Sequence, residues 1–240
     1  MTSESGKQYV CVNCGSPARE LIKKYSNTIK PTNCCKCNQL IDKYIEVEEF
    51  IILIDALLLD SAAFRHMIFN GNFKLYWKIS LVVLLLESFA LCRQKRGDGS
   101  NTALYEKGFY MCTLQSIGEY LLITLLLLFI SALLNLRQMN KVGHEAVTLI
   151  ILKVVAISNF SKFFLLPILV WRSNTTDFGQ KLHYMLVTGH HLCSLIMAYS
   201  VVGISNRNLR CLTAILVIFA FAIKEYVRYL ASFKIELYLS

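Results

Sequence analysis

From Leu75 to the C-terminus the sequence passes through one long apolar run after another, and nothing else in it constrains the fold as strongly. About 20 apolar residues in helical form match a hydrocarbon layer of roughly 30 Å, and within that layer backbone polar groups must bond to one another. Such runs therefore fold as helices. Five candidate spans are expected: Leu75 to Cys92, Leu114 to Leu136, Ala146 to Trp171, Leu182 to Ile204, and Leu209 to Leu230. The fifth contains Lys224, Glu225 and Arg228, which leave an apolar core of only about fourteen residues, so it reads as a short span or as a helix on the membrane surface. Residues 73–240 are thus expected to form an all-α transmembrane bundle of 4–5 helices. A hydrophobic content of 55% excludes a disordered chain and an ordinary water-soluble domain.

Residues 1–48 have a different composition and read as a small soluble head. The net charge of +9 comes from 25 Lys and Arg against 16 Asp and Glu. The basic residues are scattered among short loops and no base-stacking aromatics repeat beside them, so anionic lipid head groups are the expected counter-charge and nucleic acid is not. The polar start, Met1 to Gly6, has no apolar stretch behind it and lacks the layout of a cleavable signal peptide, which leaves insertion to the first internal span.

The head carries Cys11-Val-Asn-Cys14 and, after nineteen intervening residues, Cys34-Cys35-Lys-Cys37. Paired C-x-x-C steps let four sulfurs turn toward one ion about 2.3 Å away, the pattern of a structural zinc site with ligands Cys11, Cys14, Cys34 and Cys37. Gly15 and Asn38 stand where each knuckle needs a positive φ to close. Strand-like stretches at Tyr9–Val12, Leu21–Tyr25 and Leu40–Val47 complete the pattern of a β-rich zinc ribbon. So short a head cannot bury a sufficient core alone, and zinc binding supplies the missing stability. The competing readings are two disulfides or a redox C-x-x-C. A disulfide within either pair closes a very short loop and adds little, and no thioredoxin-like pattern surrounds either pair. Cys35 is a spare thiol unless it exchanges register with Cys34. Four thiolates leave no open position for catalysis, and they require a reducing compartment, so the head is expected to face the cytosol.

Residues 49–72 join head to spans. Their apolar runs are too short to cross and are interrupted by Asp55 and Asp60, which points to one amphipathic interfacial helix. Glu46, Glu48 and Glu49 suit its N-terminus, and Arg65-His66 followed by Asn70-Gly71-Asn72 marks its far end.

Several ionisable residues fall inside the apolar runs, where each charge costs about 2.5–3.5 kcal/mol on insertion scales. Glu87 and Lys153 are the pair expected to lie deep enough to need each other, as a buried ion pair or as a contact for a lipid head group or sterol hydroxyl. Glu119 and His183 are expected to reach interfacial water, and Lys162 to do so only if its segment tilts or breaks near Asn159. His190 and His191 point about 100° apart on a helix, so His190 reads as a packing or hydrogen-bonding residue rather than half of a site. Orientation by loop charge is nearly balanced. Asn174-Thr-Thr176 is the sequon clearly outside the spans, and with a cytosolic head its loop is lumenal. No phosphate loop, nucleophile elbow, paired carboxylates or His-x₄-Asp signature is present, so no enzyme activity is expected.

Cys-x₂-Cys-Gly, the second Cys-x₂-Cys, Asp42-Lys43-Tyr44-Ile45-Glu46, Ile54-Asp55 and Ala63-Phe64-Arg65-His66-Met67-Ile68-Phe69-Asn70, in this order and followed by spans, resemble the Arv family of endoplasmic-reticulum membrane proteins. The match is close over residues 9–72, and residues 1–48 with 49–72 are what the resemblance implies is the Arv homology domain. The resemblance implies a non-enzymatic role in intracellular sterol transport and homeostasis, with links to sphingolipid metabolism. It also implies, as the alternative, an accessory role in early glycosylphosphatidylinositol anchor synthesis, beside a transferase complex or with its phosphatidylinositol-derived lipid. Asp42, Lys43, Tyr44, Asp55, Arg65, His66, Phe69 and Asn70 carry over as candidate lipid or partner contacts; the spans do not carry over residue by residue, and Glu87, Lys153 and His190 are candidate polar positions in the membrane from the apolar runs alone. On this view Arg65→Ala and Asp55→Leu spare the zinc head and impair lipid distribution.

Overall fold

A computed structural model describes residues 9–24, 29–95, 102–134, 147–171, 176–203 and 207–239. Asn174 of the sequon, and the expected span ends at Leu136, Ala146 and Ile204, lie outside the described residues.

The head is two short antiparallel hairpins. Strand β1 (Tyr9–Val10) pairs with β2 (Pro17–Ala18) around the first knuckle, and β3 (Ile22–Lys24) pairs with β4 (Ile29–Pro31). The stretch from Leu40 to Val47 departs from expectation. Beyond one bridge between Leu40 and Asn33 it turns back on itself instead of running as a strand. The cause is local: Asp42 Oδ1 accepts the Tyr44 N–H at 2.9 Å, closing an Asx turn that competes with extended backbone.

The joint is likewise not one helix. Helix α1 (Glu49–Leu57) stops, α2 (Ser61–Arg65) starts again, and a π-helical turn (His66–Asn70) follows. Between α1 and α2, Leu59 takes φ +64, the Leu59 N–H bonds to the Ala56 carbonyl and the Asp60 N–H to the Asp55 carbonyl at 2.9 Å. This is a Schellman ending with leucine at the left-handed position, where glycine is usual and a side chain costs on the order of 1–2 kcal/mol. Asp60 then caps α2, its Oδ1 accepting the Ala62 N–H at 2.9 Å.

Five longer segments build the bundle: α3 (Phe73–Lys95), α4 (Thr102–Leu133), α5 (Val147–Ser158) continued through a 3₁₀ stretch (Asn159–Phe164) into α6 (Leu165–Trp171), α7 (Asp177–Gly203) and α8 (Arg207–Leu239). Among the described residues four helical stretches are long and apolar enough to cross a membrane: Phe73–Arg93, Lys107–Leu133, Val147–Ile168 and Phe178–Val202. The protein is therefore a multi-pass membrane protein, a small β-hairpin head followed by helices. Helix α8 runs against α4 and α7; its Arg228 meets Glu119 of α4 and Glu87 of α3, and its Glu225 meets Tyr184 of α7.

Head, joint and bundle share one apolar core. Val12 and Tyr44 from the head side, Ile52, Phe64 and Met67 from the joint, and Leu127, Ile151 and Leu195 from the bundle belong to the same buried cluster. The joint packs along the flank of the bundle: His190, at the midpoint of α7, donates from Nε2 to the Leu57 carbonyl at 2.9 Å, satisfying a terminal carbonyl of α1.

Candidate functional site

The two knuckles have the same hydrogen-bond pattern. Cys11 N–H bonds to the Ser16 carbonyl and Gly15 N–H to the Cys11 carbonyl, both at 2.9 Å; Cys34 N–H bonds to the Gln39 carbonyl at 2.7 Å and Asn38 N–H to the Cys34 carbonyl at 2.9 Å. Gly15 and Asn38 take φ +73 and +59, as closing each knuckle requires. The correspondence places Cys34 where Cys11 stands and fixes the register. Cys35 is exposed and outside the cluster.

The sulfurs of Cys11, Cys14, Cys34 and Cys37 all lie within 4.8 Å of one another. Cys11 and Cys37 are 3.7 Å apart, as are Cys14 and Cys34. Four thiolates at about 2.3 Å from a central ion stand about 3.8 Å from each other, so the cluster is compatible with tetrahedral zinc. All four are free thiols, which argues against the two-disulfide reading. Ser16, which sequence reasoning passed over, lies 2.9 Å from Cys14 Sγ and 3.2 Å from Cys34 Sγ through its hydroxyl. That hydroxyl and the nearby backbone amides pull the Cys34 thiol down to about 6, whereas burial pushes Cys11 up to about 12.

The residues that carried the family resemblance converge behind this cluster. Asn70 bonds both backbone groups of Val10, and its Nδ2 also donates to Asp42 Oδ2 at 2.7 Å. His66 donates from Nδ1 to the same oxygen at 2.7 Å. Asp42, His66 and Asn70 are all buried. A Cβ at Gly71 would stand 3.1 Å from His66 Nε2, so the chain leaves the π turn closely pressed to this imidazole. Arg65 Nη1 donates to the Val12 carbonyl at 2.6 Å and the Asn13 carbonyl at 3.1 Å, inside the first C-x-x-C step. Arg65 is thus tied to the knuckle itself, and the expected separation between it and the head does not hold. Asp55 does stand apart. The Tyr44 hydroxyl shares its proton between Asp55 Oδ2 at 2.8 Å and Asp60 Oδ2 at 3.0 Å, and burial with these two acceptors raises its pKa. Lys43 pairs with Asp60 at 3.0 Å on the exposed side. Burial works to raise the Asp60 carboxyl, but the Ala62 amide, Lys43 and Tyr44 outweigh it and hold the group below its ordinary value. Phe69 packs half-buried against the common core.

In the bundle, the expected pairing of Glu87 with Lys153 is replaced by another. Glu87 is met by Lys162 at 2.6 Å and Arg228 at 3.2 Å. Lys153 Nζ donates to the Ile68 carbonyl at 3.2 Å, holding the π turn against α5, and lies over the Phe73 ring. The 3₁₀ stretch explains the exchange, because its tighter winding carries Lys162 inward instead of toward water. Glu119 is also buried, 3.6 Å from Arg228, and so does not reach interfacial water. Arg228 and Glu225, which touches Tyr184 at 3.0 Å, complete a network that sequence reasoning saw only as interruptions of α8.

These features define a class: a multi-pass membrane protein whose four-thiol head is clasped to its bundle. The sequence profile of the Arv1-like family matches residues 10–195, from the head into α7, and the chain belongs to that family. It is 29% identical to Protein ARV1 of Homo sapiens over 217 residues, 87% of this chain and 77% of that one. It is 30% identical to Protein ARV 2 of Arabidopsis thaliana over 171 residues, 67% of this chain and 72% of that one. Protein ARV1 of Saccharomyces cerevisiae is 40% identical over 63 residues, 26% of this chain and 20% of that one. No solved structure matches the chain.

Proposed function

We propose that this protein is a non-enzymatic lipid-handling factor of the endoplasmic-reticulum membrane that moves sterol between membranes and so also affects sphingolipid metabolism. The observation that carries the reading is the two-sided character of α1. Ile52 and Ala56 are buried in the common core, while Phe50 and Leu58 are 69% and 75% exposed beside Ile51 and Ile54. An exposed apolar face of this kind, on a helix fixed along membrane spans, is suited to the acyl layer and to disturbing lipid packing there.

In this reading residues 1–48 are the head, 49–72 the joint and 73–240 the bundle, and the head faces the cytosol. Cys11, Cys14, Cys34 and Cys37 hold one structural zinc ion, whose chemistry is to cross-link the two knuckles. Arg65, His66, Asp42 and Asn70 carry that rigidity into the joint, and Asp55 with Tyr44 and Lys43 sets the angle of α1. Membrane lipid is the partner.

The test is transfer of a fluorescent sterol between vesicles by the purified full-length protein. Transfer is expected to fall on Phe50→Ser/Leu58→Ser substitution and on Asp55→Leu, with zinc content unchanged in both. A pure protein that moves no sterol, yet restores glycosylphosphatidylinositol anchor synthesis in cells lacking it, would replace this reading with that of an accessory subunit of the transferase complex.

A further inference from the structure

Among the described residues of the head, Arg19, Lys23, Lys24, Lys30 and Lys36 are exposed and meet no carboxylate, whereas Lys43 pairs with Asp60. From Tyr9 to Ile41 these five cations stand against a single acidic residue, Glu20. Three of the five sit in the β3–β4 hairpin. Lys23 and Lys30 are direct cross-strand partners there, so two like charges share one face, which weakens the hairpin unless an anion lies against it. Lys24 projects from the other face, beside Ile22, and is the residue of β3 nearest the turn. All of β3 is exposed, as are Lys30 and Pro31 of β4, so the rest of the described chain covers neither face.

The hairpin also stands apart from the contacts that hold the head to its own membrane. Arg65 and Asn70 grip the first knuckle and β1, and Val12 and Tyr44 enter the core shared with the bundle. Leu21, at the foot of β3, packs instead in a separate small core with Cys11, Cys34 and Ile41. Among the described residues no hydrogen bond or ion pair runs from β3 or β4 to the joint or the bundle. The side of the head that the joint covers is therefore not the side that carries the hairpin. Lysine is a flexible point charge and lacks the planar fork by which arginine selects one phosphate or carboxylate. Lysines gathered near a free turn thus suit a surface over which negative charge is spread, and the cytosolic leaflets of membranes present one.

We propose that the β3–β4 hairpin docks through Lys23, Lys24 and Lys30 on the anionic head groups of a facing membrane, so that the head bridges two membranes. Arg19 and Lys36 add to the field that draws this surface in, and the anionic lipid relieves the repulsion between Lys23 and Lys30. The inference rests on the cytosolic head of the lipid-handling reading and adds the second membrane that movement of lipid requires. It needs no sterol, so capture of a membrane and transfer of sterol are separate measurements.

The test is flotation of the full-length protein, held in nanodiscs of phosphatidylcholine, with added vesicles. Vesicles of mixed phosphatidylserine and phosphatidylcholine are expected to carry the nanodiscs upward, and vesicles of phosphatidylcholine alone are not. Each lysine contributes about fivefold at an anionic surface, so Lys23→Gln/Lys24→Gln/Lys30→Gln should lower the affinity about a hundredfold. Added salt should weaken the parent more than this variant. The variant should keep the parent's zinc content; where it does not, Lys30→Gln alone, which relieves the like-charge pair, should still lower the affinity about fivefold. A parent that ignores the phosphatidylserine vesicles, or variants that float as well as the parent, overturns the docking surface and leaves the lipid-handling reading to the transfer assay. Hydrogen exchange of residues 22–31 identifies the membrane. Slowing on addition of the mixed vesicles supports a facing membrane. Slowing only when phosphatidylserine is placed in the nanodisc itself puts the hairpin on its own membrane and overturns the proposal. Slowing by polyglutamate without capture of vesicles overturns it in favour of an acidic protein.

Discussion

Asn70 stands to Val10 as a neighbouring strand would: its Nδ2 donates to the Val10 carbonyl at 2.8 Å and its Oδ1 accepts the Val10 N–H at 2.9 Å. One side chain from the π turn thus completes the edge of β1, sixty residues away in sequence, and donates a further hydrogen bond to Asp42. This amide is one of the ties, beside Arg65 and His66, that fasten the head to the joint. An aspartate has the same shape but no donor, and would set its charge against both the Val10 carbonyl and the Asp42 carboxylate. Asn70→Asp is expected to cost about 3–5 kcal/mol, because it strands a buried charge, and Asn70→Ala less. Unfolding in detergent, followed by tryptophan fluorescence and by zinc release, measures both. An Asn70→Asp variant as stable as the parent would show that the clasp contributes nothing.

What could be read from the residues, and what could not, follows the range of the forces involved. The knuckles were legible because each C-x-x-C acts together with the residue directly after it, Gly15 or Asn38, and the spans because apolar length is itself the signal. The break in the joint was not, since a left-handed leucine at Leu59 gives no sign where glycine would. Asp42, His66 and Asn70 were legible as a family pattern, but their meeting depends on a contact between β1 and the π turn that no local rule contains.

The same limit explains the pairing inside the bundle. Glu87 was identifiable as a charge needing a partner, but depth in the apolar run favours Lys153, and no local signal shows that the 3₁₀ stretch brings Lys162 to Glu87 instead. With Lys162 turned inward, Glu87→Ala leaves Lys162 and Arg228 facing each other, at a cost of about 3–5 kcal/mol. Lys162→Ala combined with Glu87→Ala should cost clearly less than the sum of the two single changes. Lys153→Ala combined with Glu87→Ala should be additive within about 0.5 kcal/mol, because Lys153 serves the Ile68 carbonyl instead. Denaturant unfolding of the two double-mutant cycles distinguishes the pairs, and coupling confined to the Lys153 cycle would reverse the assignment.

Metal content follows from the register of the second knuckle. Purified protein is expected to hold about one zinc per chain, to lose it on Cys37→Ser, and to keep it on Cys35→Ser, since Cys35 lies outside the cluster. Chelation should open the head and unpair the β3–β4 hairpin, so that trypsin cuts faster at Lys23 and Lys24, which are already exposed but held in a strand, while the spans stay protected. Loss of zinc from the Cys35→Ser protein would mean that the two neighbouring thiols exchange roles.

The pH dependence of zinc binding can be worked out from the thiols before the metal enters. Cys34, drawn to about 6 by Ser16 and the knuckle amides, is mostly thiolate at neutral pH, while Cys11, raised to about 12 by burial, keeps its proton. Zinc takes thiolates only, so loading expels at least the Cys11 proton, and the metal-free head holds more protons than the loaded one. The sign follows: raising the pH favours zinc. Between pH 8 and pH 6, where Cys11 remains protonated without metal, affinity is expected to fall by about tenfold or more per unit. Competition with a chromophoric chelator at fixed ionic strength reads this slope. Ser16→Ala should steepen it near neutrality, because without the serine hydroxyl Cys34 also binds a proton that zinc must displace. A slope indifferent to pH would show that Cys11 does not ligate the metal.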